Sequence, residues 1–382
     1  MFLAKSNIGH KVCRTDDLVI NTLWAWMAAL GVSPITGIVS PAYGVYRPLR
    51  PDRVLPGFID LLLRVPAYVS EYQRRSTGVN SSRLRLYPES FLRIPLLLPE
   101  PSEQAMIVRF LGHALAKVDR FVRAKRKLIG LLTEQKNAMI YRAVTRGIKS
   151  CPSLQSSGVP WLGSIPPNWE VQRLKFLAHI KTGGRDTVDR VDSGQYPFFV
   201  RSQKVERINT YSFDGEAVLT AGDGAGVGKV FHYVNGKFDY HQRVYKFSRF
   251  RRITGAFFFH YLKSTLRFEA LDASAKSTVD SLRLPLLQNF PTVIPPVDEQ
   301  LDIVRWIDAQ SIPLDAAISR TEREIALMQE YRTRLITDIV TGALDVREAG
   351  MKLPDERGAK PLATSEDDPL EDCDVEAGQR DE

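Results

Sequence analysis

The sequence has little cysteine, no long apolar run and no spacing that holds a metal. Its three cysteines, Cys13, Cys151 and Cys373, lie far apart in 382 residues. Scattered thiols of this kind fit a reducing compartment, and the expected location is the cytoplasm. No apolar stretch approaches the roughly 20 residues of a membrane helix, so no membrane partner is expected. The N-terminal MFLAKSNIGHKVCR has no apolar core and is not read as a signal peptide. None of the six histidines forms an HExxH or similar ligand pair, so His241 and His260 read as structural or surface residues. The segment GDGAGVGK, residues 222–229, fails as a phosphate loop. A Walker A loop needs glycine where Asp223 stands, and Ser or Thr where Val230 stands. The dinucleotide pattern fails at Val227, and a tight turn or β-bulge is the expectation. No nucleophile, carboxylate pair or methyltransferase-type motif is found, so an enzyme is not expected.

What is present is positive charge, unevenly placed. The formal net charge is +8. Residues 348–382 hold twelve acids against four bases, a net of −8, so residues 1–347 carry +16. A polyanionic partner accounts for that excess, and so does a basic, well-solvated surface. The acidic end has few apolar residues and is expected to be disordered.

A repeat organises the rest. PEPSEQAMIVRFL (99–111) recurs as PPVDEQLDIVRWI (295–307), 196 residues on. Without a gap, Glu103-Gln104 matches Glu299-Gln300, Ile107-Val108-Arg109 matches Ile303-Val304-Arg305, and Val144-Thr145 matches Val340-Thr341. Chance does not produce an ungapped match of that length, so a supersecondary unit is duplicated. Ile107, Leu111, Ala114, Val118, Phe121, Leu128, Leu132 and Met139 alternate steps of four and three, interrupted by Lys125 and Gln135. Ile303, Ile307, Leu314, Ile318, Ile325, Met328, Tyr331, Leu335 and Ile339 keep a similar stripe. This is a coiled-coil seam. Pro99, Pro101, Pro295 and Pro296 precede the helices, Gly147 and Gly342 lie near their ends, and Pro313 predicts a kink or a late start. A helix of about 40 residues extends roughly 60 Å, and each copy is the obvious partner for the other.

Between the helices the pattern changes to short β-rich runs: Pro197–Arg201, Ala217–Thr220, Lys229–Val234 and Arg243–Phe247. Phe213-Asp214-Gly215 and Val234-Asn235-Gly236 read as turns, and Gly255–Leu266 as a helix on the sheet. Residues 17–97 repeat the latter part of this domain. DLVINTLWAW (17–26) aligns with EAVLTAGDGA (216–225), SPAYGVYRP (40–48) with YHQRVYKFS (240–248), and FIDLLLRVPAYVSEYQ (58–73) with the helix near residue 256. Ser76-Thr77 before Arg83 parallels Ser277-Thr278 before Arg283. Arg201, Ser202, Gln203, Lys204, Arg207, Lys229, Gln242, Arg243 and Lys276 punctuate the complete copy. Singly, each reads as a solvated surface residue. Together on loops they fit a surface that reads DNA, with Arg and Gln suited to base edges and Lys to phosphates.

These residues carry a resemblance. SSGVPWLGSIPPNWEVQRLKFLAHIKTGG (156–184) resembles the opening of a target-recognition domain in a Type I restriction-modification specificity subunit. The PxPxEQxxIVxFL segment with its helix to AVTRGI (143–148) resembles that family's spacer, and residues 222–248 resemble its recognition core. The resemblance implies an α+β fold with two mixed α/β target-recognition domains, separated by two long helices in an antiparallel coiled coil. The expected ranges are 1–98 (a partial first recognition domain), 99–148 (first spacer), 149–294 (second recognition domain), 295–346 (second spacer) and 347–382 (acidic tail). The first domain is read as incomplete, because a counterpart of residues 161–200 is not found ahead of Asp17.

The resemblance further implies that each domain reads half of a split double-stranded DNA site, with helix length setting the spacing. The subunit would do no chemistry and hold no cofactor. Modification methyltransferase subunits, using S-adenosylmethionine, and restriction translocase/nuclease subunits, using ATP and magnesium, would dock on it. The implied DNA-binding residues are Arg201, Ser202, Gln203, Lys204, Lys229, Gln242, Arg243 and Lys276. The alternative is a truncated half-specificity or interaction protein with impaired recognition.

Overall fold

The alternating apolar steps produce two long helices, and each of two compact units contains part of both. The structure, a computed structural model, describes residues 9–78, 84–149, 153–274 and 281–353. The chain begins with five short strands: β1 (Lys11–Cys13), β2 (Leu18–Asn21), β3 (Leu30–Val32), β4 (Gly37–Val39) and β5 (Tyr43–Tyr46). Helices α1 (Pro56–Leu62), α2 (Pro66–Arg75) and α3 (Pro88–Phe91) lead into the first long helix, α4 (Pro101–Arg146). Nine strands follow: β6 (Gln155–Ser156), β7 (Ser164–Ile165), β8 (Glu170–Arg173), β9 (His179–Thr182), β10 (Tyr196–Phe199), β11 (Glu206–Ile208), β12 (Phe213–Ala221), β13 (Phe231–Tyr240) and β14 (Val244–Ser248). Then come α5 (Gly255–Ser274), α6 (Leu284–Asn289), β15 (Pro291–Ile294), the second long helix α7 (Val297–Val340), and α8 (Arg347–Met351).

Two compact units result, the first from residues up to Arg126 with those from Arg323 on, the second from Lys127–Glu322. Their boundaries cut the long helices rather than falling at the helix starts. Short helix α8 stands at the head of the stretch expected to be disordered tail. Residues 354–382 lie outside the described residues, as do Cys151, Cys373, Arg83, Ser277 and Thr278.

Within each unit the N-terminal end of one long helix packs with the C-terminal end of the other. Ile107, Leu111, Leu335 and Ile339 share the core of the first unit. Three of their counterparts 196 residues away, Ile303, Ile307 and Ala143, share the core of the second, and the fourth, Met139, packs against it. The helices are antiparallel, as expected. Lys125 meets Glu324 at 2.6 Å and Asp119 meets Arg332 at 3.9 Å in the first unit; Lys136 meets Asp315 at 2.6 Å in the second. The seam differs from the expected one by a residue in places. Phe121, Leu128 and Tyr331 are exposed, and Val122 and Ile129 turn inward instead. Lys125, read as an interruption, lies in the seam and is matched by Glu324. Pro313 neither delays nor ends α7. It sits on an exposed face, where water can solvate the carbonyl that the missing N–H leaves free.

The second unit has a six-stranded sheet in the order β11-β10-β13-β12-β14-β9, with α5 against one face. The segments read as turns at Gly215 and Gly236 lie inside strands. They face each other across the β12–β13 ladder, both at φ +132, a backbone that side-chain-bearing residues avoid. The ribbon bends there. Lys246 lies opposite Leu219, six residues or about 20 Å of straight strand from Phe213. Yet its ammonium is 3.4 Å from the Phe213 ring centroid. The Trp-Leu-Gly segment seals the other end of the core. Trp161 stacks on Phe268 and donates to the Glu269 carboxylate at 2.8 Å, while Leu162 and Trp169 are buried.

The first unit rebuilds part of this domain with a revised alignment. Cys13 opposite Gly37 corresponds to Phe213 opposite Phe238, and Leu18 opposite Tyr46 corresponds to Val218 opposite Phe247. Strands β1 and β2 are therefore the counterpart of β12, β3 and β4 of β13, and β5 of β14. The alignment expected from sequence put Leu18 against Ala217 and Tyr46 against Lys246, a one-residue slip that would turn each side chain to the wrong face. Pro66 splits the counterpart of α5 into α1 and α2.

One interaction joins sheet, helix and spacer in both units. Gln104 is fully buried. Its Oε1 accepts from the Leu55 amide at 2.8 Å, and its Nε2 donates to the carbonyls of Arg53 and Pro99 at 2.9 and 2.8 Å. Gln300 repeats this with the Thr254 amide at 2.8 Å and the carbonyls of Arg252 and Pro295 at 2.9 and 2.8 Å. The glutamine of the repeated Glu-Gln pair thus ties the loop before the domain helix to the start of the long helix. Replacing Gln300 by Ala strands three backbone groups, the Pro295 carbonyl in a buried bond and the Thr254 amide and Arg252 carbonyl in part-buried ones, at about 1–3 kcal/mol for a fully buried group and less for the others. The expected outcome is fast amide exchange at Thr254 and the start of α5, with a loss of about 3 kcal/mol or more in denaturant unfolding. Gln300→Glu, with two carbonyls facing a carboxylate, should do no better, and equal stability of either variant to the parent would refute the clamp.

Candidate nucleic-acid interface

Four segments of the second unit meet at one patch: residues 183–190 after β9, 200–205 after β10, 222–230 between β12 and β13, and 241–243 between β13 and β14. Close backbone approach builds it. A Cβ on Gly226 would come within 2.5 Å of the Arg201 carbonyl, and one on Gly222 within 2.9 Å of the Arg243 carbonyl. The glycine-rich segment therefore serves proximity between loops, in a 3-10 turn at Gly224–Gly226, as the tight-turn reading expected.

The side chains are cross-braced. Asp223 accepts from Arg201 at 3.1 Å and from Arg243 at 2.8 Å, one carboxylate between two guanidiniums. Gln203 donates to the Lys229 carbonyl at 2.9 Å, joining two of the loops. Gln242 donates to Asp186 at 2.6 Å. Ser202 donates to the Lys204 carbonyl at 3.0 Å, and Lys204 reaches toward Glu206 at 3.6 Å. Arg201, Lys204 and Arg243 remain substantially exposed. The patch holds directional donors in place before any ligand arrives, which lowers the ordering cost of binding.

His241 organises one corner. Its Nδ1 accepts from the Arg243 amide at 2.9 Å, so Nε2 carries the proton and faces Asp186 at 3.5 Å. Burial lowers its pKa, which keeps the ring neutral in that tautomer. The Thr187 amide, foremost, holds the Asp186 carboxyl below its ordinary value. Beneath the patch, Asp239 is buried and accepts from Ser212 at 2.7 Å, Thr210 at 3.0 Å and Arg185 at 3.4 Å.

Seven of the eight residues expected from sequence, Arg201, Ser202, Gln203, Lys204, Lys229, Gln242 and Arg243, thus lie on these converging loops. Lys276 lies outside the described residues, and Arg207 is exposed on β11. Sequence reasoning missed Asp223, Asp186 and Arg185. Only the glycines flanking Asp223 hinted at its placement. No group of three or more His, Cys, Asp or Glu side chains suited to a metal occurs among the described residues. No described helix is long and apolar enough to cross a membrane.

Lys246 makes this domain pH-sensitive. Its ammonium is buried against the rings of Phe213 and Tyr240. Burial foremost, then Lys181 and Arg249, lower its pKa to about 8 from 10.5. Between those two values the unfolded chain holds more protons than the folded one, so stability rises with pH across that window. Below about pH 8 the burial cost is constant. Thermal melts should show the parent gaining on the order of 3 kcal/mol over Lys246→Met from pH 8 to 10.5, on top of the loss above pH 10 that the raised Tyr233, Tyr240 and Tyr261 give to both chains. An identical pH profile for the variant would count against it.

Residues 166–325 match the Type I restriction modification DNA specificity domain. Over 182 residues the chain is 27% identical to the Type I restriction enzyme EcoDI specificity subunit of Escherichia coli, covering 48% of this chain and 40% of that protein. The chain thus spans two-fifths of the length of the curated relative it matches. A solved structure from work on complex assembly and conformational transition of the type I R-M system shares the fold, with a TM-score of 0.59 at 18% identity over 89% of this chain and 85% of that one. The HsdS subunit of Thermoanaerobacter tengcongensis aligns at a TM-score of 0.40 and 17% identity, over 89% and 84% of the two chains.

Proposed function

We propose that this chain, part of which is similar to the Type I restriction-modification specificity subunits, reads the sequence of double-stranded DNA for a complex whose chemistry resides on other subunits. The observation that carries this reading is the braced patch of the second unit. Arg201 and Arg243 offer planar, bidentate donors and Gln203 and Gln242 a donor beside an acceptor, all suited to base edges, and Lys204 and Lys229 suit phosphates. Asp223 holds both arginines, Asp186 holds Gln242, and the Lys229 carbonyl holds Gln203. The repeat of helix and domain supports a two-part target, each recognition domain taking one part. Modification methyltransferase subunits and restriction subunits are the proposed partners, in the cytoplasm. S-adenosylmethionine, ATP and magnesium are assigned to them and not to this chain.

The test is methylation mapping of host DNA with and without the gene. One two-part motif should gain adenine methylation when the gene is present; an unchanged methylation map would sink the reading. Substitutions sort the residues by role in the complex with its methyltransferase. Arg243→Ala should relax one position of the motif and weaken cognate binding by about 1–3 kcal/mol. Lys204→Ala should weaken all sequences alike and reduce the slope of log affinity against log salt by about 1. Both are read by fluorescence anisotropy on labelled duplexes.

A further inference from the structure

One group of cations in the second unit belongs neither to the glutamine clamp nor to the braced loops. Lys246 of β14 lies directly opposite Lys181 of β9 in the antiparallel ladder. Like charges so placed, with Cβ atoms about 5 Å apart, oppose strand pairing. Phe247 packs on Phe258 of α5. By alternation Lys246 and Lys181 therefore share the face of the sheet away from that helix. Arg249, three residues on, is exposed at φ +54, a left-handed backbone that residues with a side chain seldom adopt. Lys181 and Arg249 are the charged groups that act on Lys246, and both are cations.

The surrounding arginines differ in having counter-ions. Arg201 and Arg243 share Asp223, Arg185 meets Asp239, and Arg252 meets Glu170. Among the described residues Lys181, Lys246 and Arg249 have no carboxylate partner and donate no side-chain hydrogen bond. Lys246 is nevertheless only 5% exposed. The rings of Phe213 and Tyr240 face its ammonium, which offsets part of the cost of burying it and leaves the charge unbalanced. Ammonium and guanidinium groups only donate. Three of them gathered without a carboxylate suit an oxyanion.

Their place in the fold names its source. Lys181 stands two residues ahead of Gly183, where the first loop of the patch begins, and Lys246 three residues after Arg243, where the last one ends. Three residues of strand span about 10 Å, less than the roughly 17 Å of half a helical turn of duplex. We propose that Lys181, Lys246 and Arg249 seat a backbone phosphate of the duplex whose bases the patch reads, and so fix the register in which the patch meets them. Contacts to phosphates position a protein on DNA, and contacts to bases specify. The inference rests on the DNA-reading proposal and adds a second face of the same domain to it.

The experiment uses the full chain with its methyltransferase and labelled duplexes carrying the motif found by methylation mapping. Each duplex of a set has one phosphate replaced by an uncharged methylphosphonate. One such position should weaken the parent roughly tenfold and the double variant Lys181→Ala/Lys246→Met hardly at all. On the unmodified duplex the double variant should lower the slope of log affinity against log salt by about 1. Lys181→Glu sets a carboxylate opposite Lys246. It should raise the melting temperature of the chain without DNA and weaken the duplex most, an opposition that a merely structural lysine does not produce. Arg243→Ala separates the two proposals. If it relaxes the motif while every methylphosphonate acts equally on parent and double variant, the phosphate seat is overturned and the DNA-reading proposal stands. If no duplex is bound selectively, both fall. Weaker assembly of Lys181→Ala with the methyltransferase in the absence of DNA also overturns the seat, and assigns the lysines to an acidic surface of that partner.

Discussion

A buried glutamine amide holds each half of this protein together. Gln104 and Gln300 each use both ends of the side chain, accepting one backbone N–H and donating to two carbonyls. An amide is the one side-chain group of this length that is both acceptor and double donor without carrying charge. A glutamate at this place would face two carbonyls, and an apolar residue would leave three polar groups without partners. The clamp joins the chain just before the domain helix to the first turn of a long helix. The adjoining packing, Phe58 and Ile107 in one unit and Phe257 and Ile303 in the other, relies on that junction. The Glu-Gln pair of the repeat therefore marks a mechanical joint, not a reactive site.

The proposed recognition patch uses the same economy of polar groups for another end. Its loops are drawn together by backbone contacts that only glycine permits, and its donors are braced by carboxylates from neighbouring loops. The two arginines sharing Asp223 retain donors beyond those it occupies. A phosphate or base edge would compete for guanidiniums that are already positioned. Neutral His241 and buried Asp239 support the loops from below.

Much of the helical architecture was legible in the sequence because a 3–4 periodicity and an ungapped repeat are local signals. The helix ends at Gly147 and Gly342, with φ of +77 and +79, follow from it, whereas the antiparallel direction was an implication of the family resemblance. The periodicity left a one-residue ambiguity, since Phe121 and Val122 are both apolar and only the partner helix decides between them. The sheets were less legible. Gly215 and Gly236 carry turn signals, but they sit opposite each other within a ladder, and a bend within a strand pair has the same composition as a turn. The alignment of β2 with β12 slipped by one for a related reason. The run Leu18-Val19-Ile20 is apolar throughout, so its two faces look alike until a core forms on one of them.

The sequence by itself determined that the chain is a duplicated helix-and-domain unit, that residues 156–184 and the paired spacers resemble specificity subunits, and that basic and amide side chains concentrate on the loops of one domain. Periodicity, repeat spacing and composition are properties of the chain in order, and no fold is needed to read them. Tertiary structure decided which charges meet. It set Asp223 between Arg201 and Arg243, and Lys125 opposite Glu324. It buried Lys246 against aromatic rings. These outcomes depend on contacts between residues far apart in sequence, whose geometry exists only once the sheets have bent and the helices have paired.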